Sequence, residues 1–138
     1  MVRHKHLEKI GVKPVQQCFM SDNPTKQEKH RYKEYYKRYK KTGVFPSVTW
    51  SMDFSLLQWF YETTCEYLNL ASEVVDLEYS KMTYNGQEYT QLELINLFKE
   101  KLKYVLTHEE DLFLTEEKNT RIKEIYDIWC VLSPAMWW

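Results

Sequence analysis

Only three glycines and four prolines occur in 138 residues, and all lie outside the stretches whose apolar residues repeat regularly. Both residue types interrupt helices and mark turns. Their scarcity leaves long unbroken segments and favours helices over a turn-rich β fold. Residues 1–22 read as a mixed arm, either extended or with a short helix near Leu7–Ile10 closed by Gly11. Asn23 as cap, Pro24 at the first helical position and Gly43 as stop frame a helix over residues 24–41. A Val44–Ser47 connector follows. Residues 51–70 form a second helix, apolar nearly all round over its first three turns (Phe54, Leu56, Leu57, Trp59, Phe60, Tyr61), as expected of a helix central to a bundle. It either continues to about Tyr79 or gives way to a short strand.

Residues 82–89 read as a hairpin around Asn85-Gly86, the pair that suits a type I′ turn, and so short a hairpin needs support from helices. Thr90-Gln-Leu-Glu93 is a capping box opening a third helix, with Leu92, Ile95, Phe98, Leu102 and Val105 on one face. Beyond an acidic connector at 108–117, Thr115 caps a fourth helix in which Ile122, Ile125, Trp129 and Leu132 repeat at core spacing. Ser133-Pro134 ends it. The expected fold is all-α: an arm over 1–22, then one domain over 23–138 with four main helices in a compact bundle and a short β-hairpin near 82–89.

Charge is divided along the chain. Residues 1–45 carry 12 Lys/Arg against 4 Asp/Glu, and residues 46–138 carry 7 against 16, which the net charge of −1 conceals. Such asymmetry means either that the basic part meets a polyanion or that it docks on the acidic part. Most of the positive charge sits in the helix over 24–41. At about 100° per residue, Tyr32, Tyr35, Tyr36 and Tyr39 share one face. Lys26, Lys29, Lys33, Lys37 and Lys40 form a row beside them, Arg31 and Arg38 lie on the other flank, and Lys41 closes the segment. A helix of about 27 Å bearing such a row can follow a phosphate backbone, while tyrosine rings can stack on exposed bases. Five neutralised phosphates give a log–log salt slope of roughly −4 on duplex DNA. The rival reading makes the tyrosines the core-facing side of an amphipathic helix, with lysines snorkelling into water.

Glu62, Glu66, Asn69, Glu73 and Asp76 share a face if the second helix runs unbroken to Asp76. Clustered carboxylates suit a divalent cation. Glu73-Val-Val-Asp76 is similar to the E-x-x-D element of all-helical nucleotide pyrophosphohydrolases of the MazG type, with Glu62 and Glu66 in the place of an upstream acidic pair. That resemblance implies a metal-dependent nucleotide hydrolase. In that family, though, the two pairs sit on separate facing helices, and the seven-residue gap here leaves no room for the turn. The same acidic face could instead receive the lysine row, within one chain or between two. His4 and His6 with Cys18 match no zinc spacing. Cys18, Cys65 and Cys130 read as reduced thiols. There is no nucleophile elbow, no G-x-G-x-x-G and no phosphate-binding P-loop, so neither catalysis nor a cofactor or metal is expected. Neither a signal peptide nor a membrane span is legible, and a cytoplasmic protein is expected.

Aromatic residues make up 16% of the chain. Trp59 and Trp129 fall at core spacing, while Trp137 and Trp138 are expected to pack back on the body or on a partner, making a homodimer plausible. Trp50, Asp53, Leu68 and Trp129, in TWSMDFSLLQWFYETTCEYL and RIKEIYDIWCVL, resemble the pattern of a group of small tailed-phage proteins without an assigned activity. The Pro usual in the first of that group's helices is missing here. The resemblance implies a viral origin and transfers no functional residue. Scarce alanine and a lysine excess over arginine point to an AT-rich gene, in keeping with that origin. The functional expectation is a non-enzymatic, phage-encoded binding protein. It acts on nucleic acid, or inhibits a host nucleic-acid-handling defence complex, through Lys26, Lys29, Arg31, Lys33, Lys37, Arg38, Lys40, Lys41, Tyr32 and Tyr36. A metal-dependent hydrolase and an assembly protein dimerising through aromatic surfaces are the alternatives.

Overall fold

A computed structural model describes residues 3–137; Trp138 lies outside the described residues. The chain forms helix α1 (Lys5–Lys9), a 3₁₀ turn (Val15–Gln17), α2 (Lys26–Thr42), a second 3₁₀ turn (Pro46–Trp50) and α3 (Met52–Ala71). Strands β1 (Lys81–Tyr84) and β2 (Gln87–Thr90) follow, then α4 (Gln91–Thr107), α5 (Glu109–Leu112), α6 (Glu116–Leu132) and a closing 3₁₀ turn (Ser133–Ala135). The fold is all-α with one two-stranded hairpin, as the scarcity of Gly and Pro dictates. The contacts divide the chain into two units, one ending at Trp59 and one beginning at Phe60, with the division inside α3.

In the first unit, α2 begins at Thr25 rather than at Asn23. The Thr25 hydroxyl accepts from the Glu28 N–H at 3.1 Å, and the Glu28 carboxylate accepts from the Thr25 N–H at 2.8 Å. A Thr-x-x-Glu box satisfies two backbone donors at once. Asn23 has Lys26 at the reciprocal position and cannot do so. Gly43 ends the helix as expected, with φ +75° and its N–H on the Tyr39 carbonyl at 2.7 Å. Around this helix the chain is pinned by a buried polar side chain, Gln58. Its Oε1 accepts from the Val15 N–H and its Nε2 donates to the Lys13 carbonyl, each at 2.9 Å. The Lys13 ammonium in turn donates to the Met20 carbonyl. One glutamine thereby replaces the ladder bonds that an irregular buried segment lacks.

The second unit is aliphatic. α4 packs against α6, and both support the hairpin. Asn85 and Gly86 take φ +51° and +76°, and Tyr84 pairs with Gln87 across the two-residue turn. The Thr90 and Thr115 hydroxyls cap α4 and α6, accepting from the Glu93 and Lys118 N–H groups. Ile95, Phe98, Leu102 and Val105 are fully buried as their spacing predicts. On α6 the buried stripe is Ile125, Ile128 and Leu132, with Ile122 and Trp129 only half-buried. Phe60, Phe98 and Trp129 meet ring to ring, with centroids 5.0 to 5.9 Å apart. The Tyr67 hydroxyl donates to the Trp137 carbonyl at 3.1 Å, and Gln91 Nε2 donates to the Ala135 carbonyl at 3.0 Å. These bonds hold the backbone of the C-terminal segment. Trp137, expected to pack on the body or on a partner, is largely exposed on the body of the chain.

Neither alternative for the chain after α3 holds. The helix stops at Ala71, and residues 72–79 are turns. The Asp76 carboxylate accepts from the Glu78 N–H at 3.0 Å, a local bond that competes with helix. The Leu92 N–H then donates to the Leu77 carbonyl at 2.9 Å, tying the turn to α4.

Candidate nucleic-acid interface

Each lysine of the row, Lys26, Lys29, Lys33, Lys37 and Lys40, is exposed, as are Arg31, Arg38 and Lys41. Fourteen residues at 1.5 Å each spread the row over about 21 Å. Lys37 pairs with Glu34 of its own helix at 3.1 Å, and both ends are well exposed, so the pair does little to fix the ammonium. The Glu34 carboxyl is held below its ordinary range by that hydrogen bond and by the Lys37 charge. Lys40 lies 4.9 Å from the centre of the Tyr36 ring, and Arg31 lies 6.0 Å from that of Phe19. The first is a good cation–π distance, which steers the ammonium without neutralising it.

The tyrosine stripe, taken as one face from its spacing, is divided. Tyr32 and Tyr35 are half-buried and turn towards Phe45, at ring-centre distances of 5.3 and 5.9 Å. Burial raises the Tyr32 phenol above its ordinary pKa, and neighbouring Tyr36 adds to this. Tyr35 also meets Phe19 at 5.2 Å and Trp50 at 6.2 Å, both edge to face. Tyr36 and Tyr39 are 37% and 40% exposed, and their ring centres are 6.1 Å apart with planes 31° from parallel. The core reading therefore holds for two tyrosines and fails for two. Tyr39 joins Tyr36 in the open pair, although spacing alone did not select it for the site.

Phe45 is the residue that the sequence most misjudged. It falls in a segment read as a connector, yet it is 5% exposed and touches Tyr32, Tyr35 and Tyr39. Its signal was a large apolar side chain two residues beyond the Gly43 stop, where a helix commonly folds a hydrophobic contact back on itself. Beside it lies a shallow pocket of about 50 Å³ lined by Gln16, Tyr32, Tyr36, Tyr39 and Phe45.

The other sequence candidates fare differently. Because α3 ends at Ala71, Glu73 and Asp76 leave the helix that carries Glu62 and Glu66, and the acidic stripe is broken. Among the described residues no group of three or more His, Cys, Asp or Glu is placed to hold a metal ion, and His4, His6 and Cys18 form none. The Tyr61 phenol is pushed up to about 12, by burial first and then by Cys65. Trp59, expected in the core, is 57% exposed. With Met52 and Leu56 it follows the i, i+4, i+7 spacing of one open face. The helix is apolar all round because its inner side is Leu57, Phe60 and Tyr61 while its outer side stays in solvent. No helix among the described residues is long and apolar enough to cross a membrane.

No protein-family model matches this chain, and neither a curated protein nor a solved structure is significantly similar to it.

Proposed function

We propose that this chain is a binding protein that grips nucleic acid with the cationic row of α2. The observation that carries this reading is the exposure of all five lysines along one helix, in the part of the chain whose charge balance is +8. Ammonium groups held at helical spacing release counterions when they meet phosphates, and this release supplies affinity without sequence preference. The role is binding rather than catalysis, and no cofactor takes part. The resemblance to tailed-phage proteins and the AT-rich composition support a viral source, and hence nucleic acid in the host cytoplasm as the target.

Fluorescence anisotropy with labelled DNA and RNA at several salt concentrations tests this directly. Binding that weakens with a log–log slope between about −3 and −5 is expected if all five lysines engage. No binding at low salt removes the reading.

The exposed apolar face of Met52, Leu56 and Trp59 favours a second reading, in which the chain docks on a host protein that itself handles nucleic acid. Capture of one such complex by the wild-type chain but not by Leu56→Lys supports it.

A further inference from the structure

We infer that the nucleic acid held by α2 is single-stranded, with unpaired bases stacking on Tyr36 and Tyr39. This rests on the nucleic-acid reading of the lysine row. It goes further because lysines alone select phosphate and do not distinguish one strand from two.

Three observations carry the step. On the α2 wheel Tyr36 stands at the seam between the ring face and the charge face, within about 60° of Lys29, Lys33 and Lys40. A base resting on Tyr36 therefore keeps its own phosphate within reach of the row. The Tyr36 and Tyr39 rings are also partly open yet anchored, and the exposed Lys40 ammonium over Tyr36 swings aside to meet the phosphate of a base that stacks there. They meet each other at 6.1 Å, and Tyr39 backs onto the buried Phe45 at 6.4 Å. Rings held in this way lose little freedom when a base covers them. Finally, the pocket behind them, at about 50 Å³, has room for one or two waters only. A base can lie across its mouth but cannot enter. Gln16 at its edge adds an amide that can donate to or accept from a base edge. In a duplex the base faces are already stacked on one another and closed to these rings. A single strand offers them freely.

Anisotropy titrations at low salt should compare four probes of equal length, about 20 nucleotides, long enough for at least one binding site. These are an oligothymidylate, an oligouridylate, an abasic phosphodiester and a DNA duplex. The wild-type chain should bind the two base-bearing single strands about tenfold or more tighter than the abasic strand and the duplex. Tyr36→Ala/Tyr39→Ala should bring oligothymidylate down to the abasic level, a far larger loss than the same variant shows on the duplex. Tyr36→Phe/Tyr39→Phe, which keeps the rings, should restore it. Equal binding of the thymidylate and abasic strands by the wild-type chain overturns this inference and leaves the lysine reading standing, as does a duplex bound as tightly as the thymidylate. Failure to bind any probe overturns both.

Discussion

Helices α2 and α4 are each 17 residues long, and both open on a threonine cap with a glutamate three residues later. α4 buries seven residues, six of them apolar or aromatic, whereas α2 buries none. Helices in proteins draw most of their stability from packing an apolar face, since short isolated helices are marginal in water. α4 follows that rule. α2 instead rests on a capping box, a left-handed glycine stop and the contacts of three tyrosines, Tyr32, Tyr35 and Tyr39, with Phe45. A helix that contributes so little to a core has its side chains left over for another purpose. The same contrast runs through the two units. Among the described residues, five of the buried apolar side chains lie up to Trp59 and fifteen from Phe60 onward.

Substitutions can break this comparison. Phe98→Ala removes a fully buried ring from α4 and should cost about 4 kcal/mol, read by urea unfolding. Phe45→Ala should cost less, about 3 kcal/mol, and its effect should concentrate in α2, seen as faster amide exchange over residues 26–42. If Phe45→Ala costs as much as Phe98→Ala and speeds amide exchange across the chain rather than mainly over residues 26–42, α2 belongs to a core after all.

A smaller effect sharpens the same point. Thr25→Ala should cost about 1 kcal/mol, since it removes one side of the box at the start of α2. The Glu28 carboxyl is held below its ordinary range by the Thr25 N–H and then by the Ser21 hydroxyl. A lowered folded-state pKa means that its contribution is present above the ordinary carboxylate range and is lost as pH falls through the lowered value. Protection of the first turn of α2 should therefore fall on acidification, and in Glu28→Gln that acid dependence should be missing.

Local chemistry made much of this fold legible. Gly43, Asn85-Gly86, Thr90 and Thr115 each act through a bond or a dihedral angle fixed within a few residues, and all stand where their residue types place them. The lysine row was equally plain, because helical spacing alone sets which residues share a face. What periodicity cannot say is what covers a face. The tyrosine stripe splits because Phe45 returns over one side of it, and Trp59 lies in solvent because Leu57, Phe60 and Tyr61 fill the inner side of α3. Ile128 is buried where Trp129 was expected to go deeper, since the wide indole meets Phe60 and Phe98 from the rim. The acidic stripe was lost to an aspartate that bonds its own backbone at a turn. Each of these turns on a contact or a local bond that helical spacing does not encode.

Hydrogen exchange with and without saturating oligothymidylate at low salt tests the central claim most directly, because it reports where a strand lies. Slower exchange confined to α2 and the Gly43–Trp50 segment, abolished by Lys33→Glu/Lys37→Glu/Lys40→Glu, is the result predicted. Protection that leaves α2 unchanged and appears instead on residues 72–79 or on α6 contradicts it.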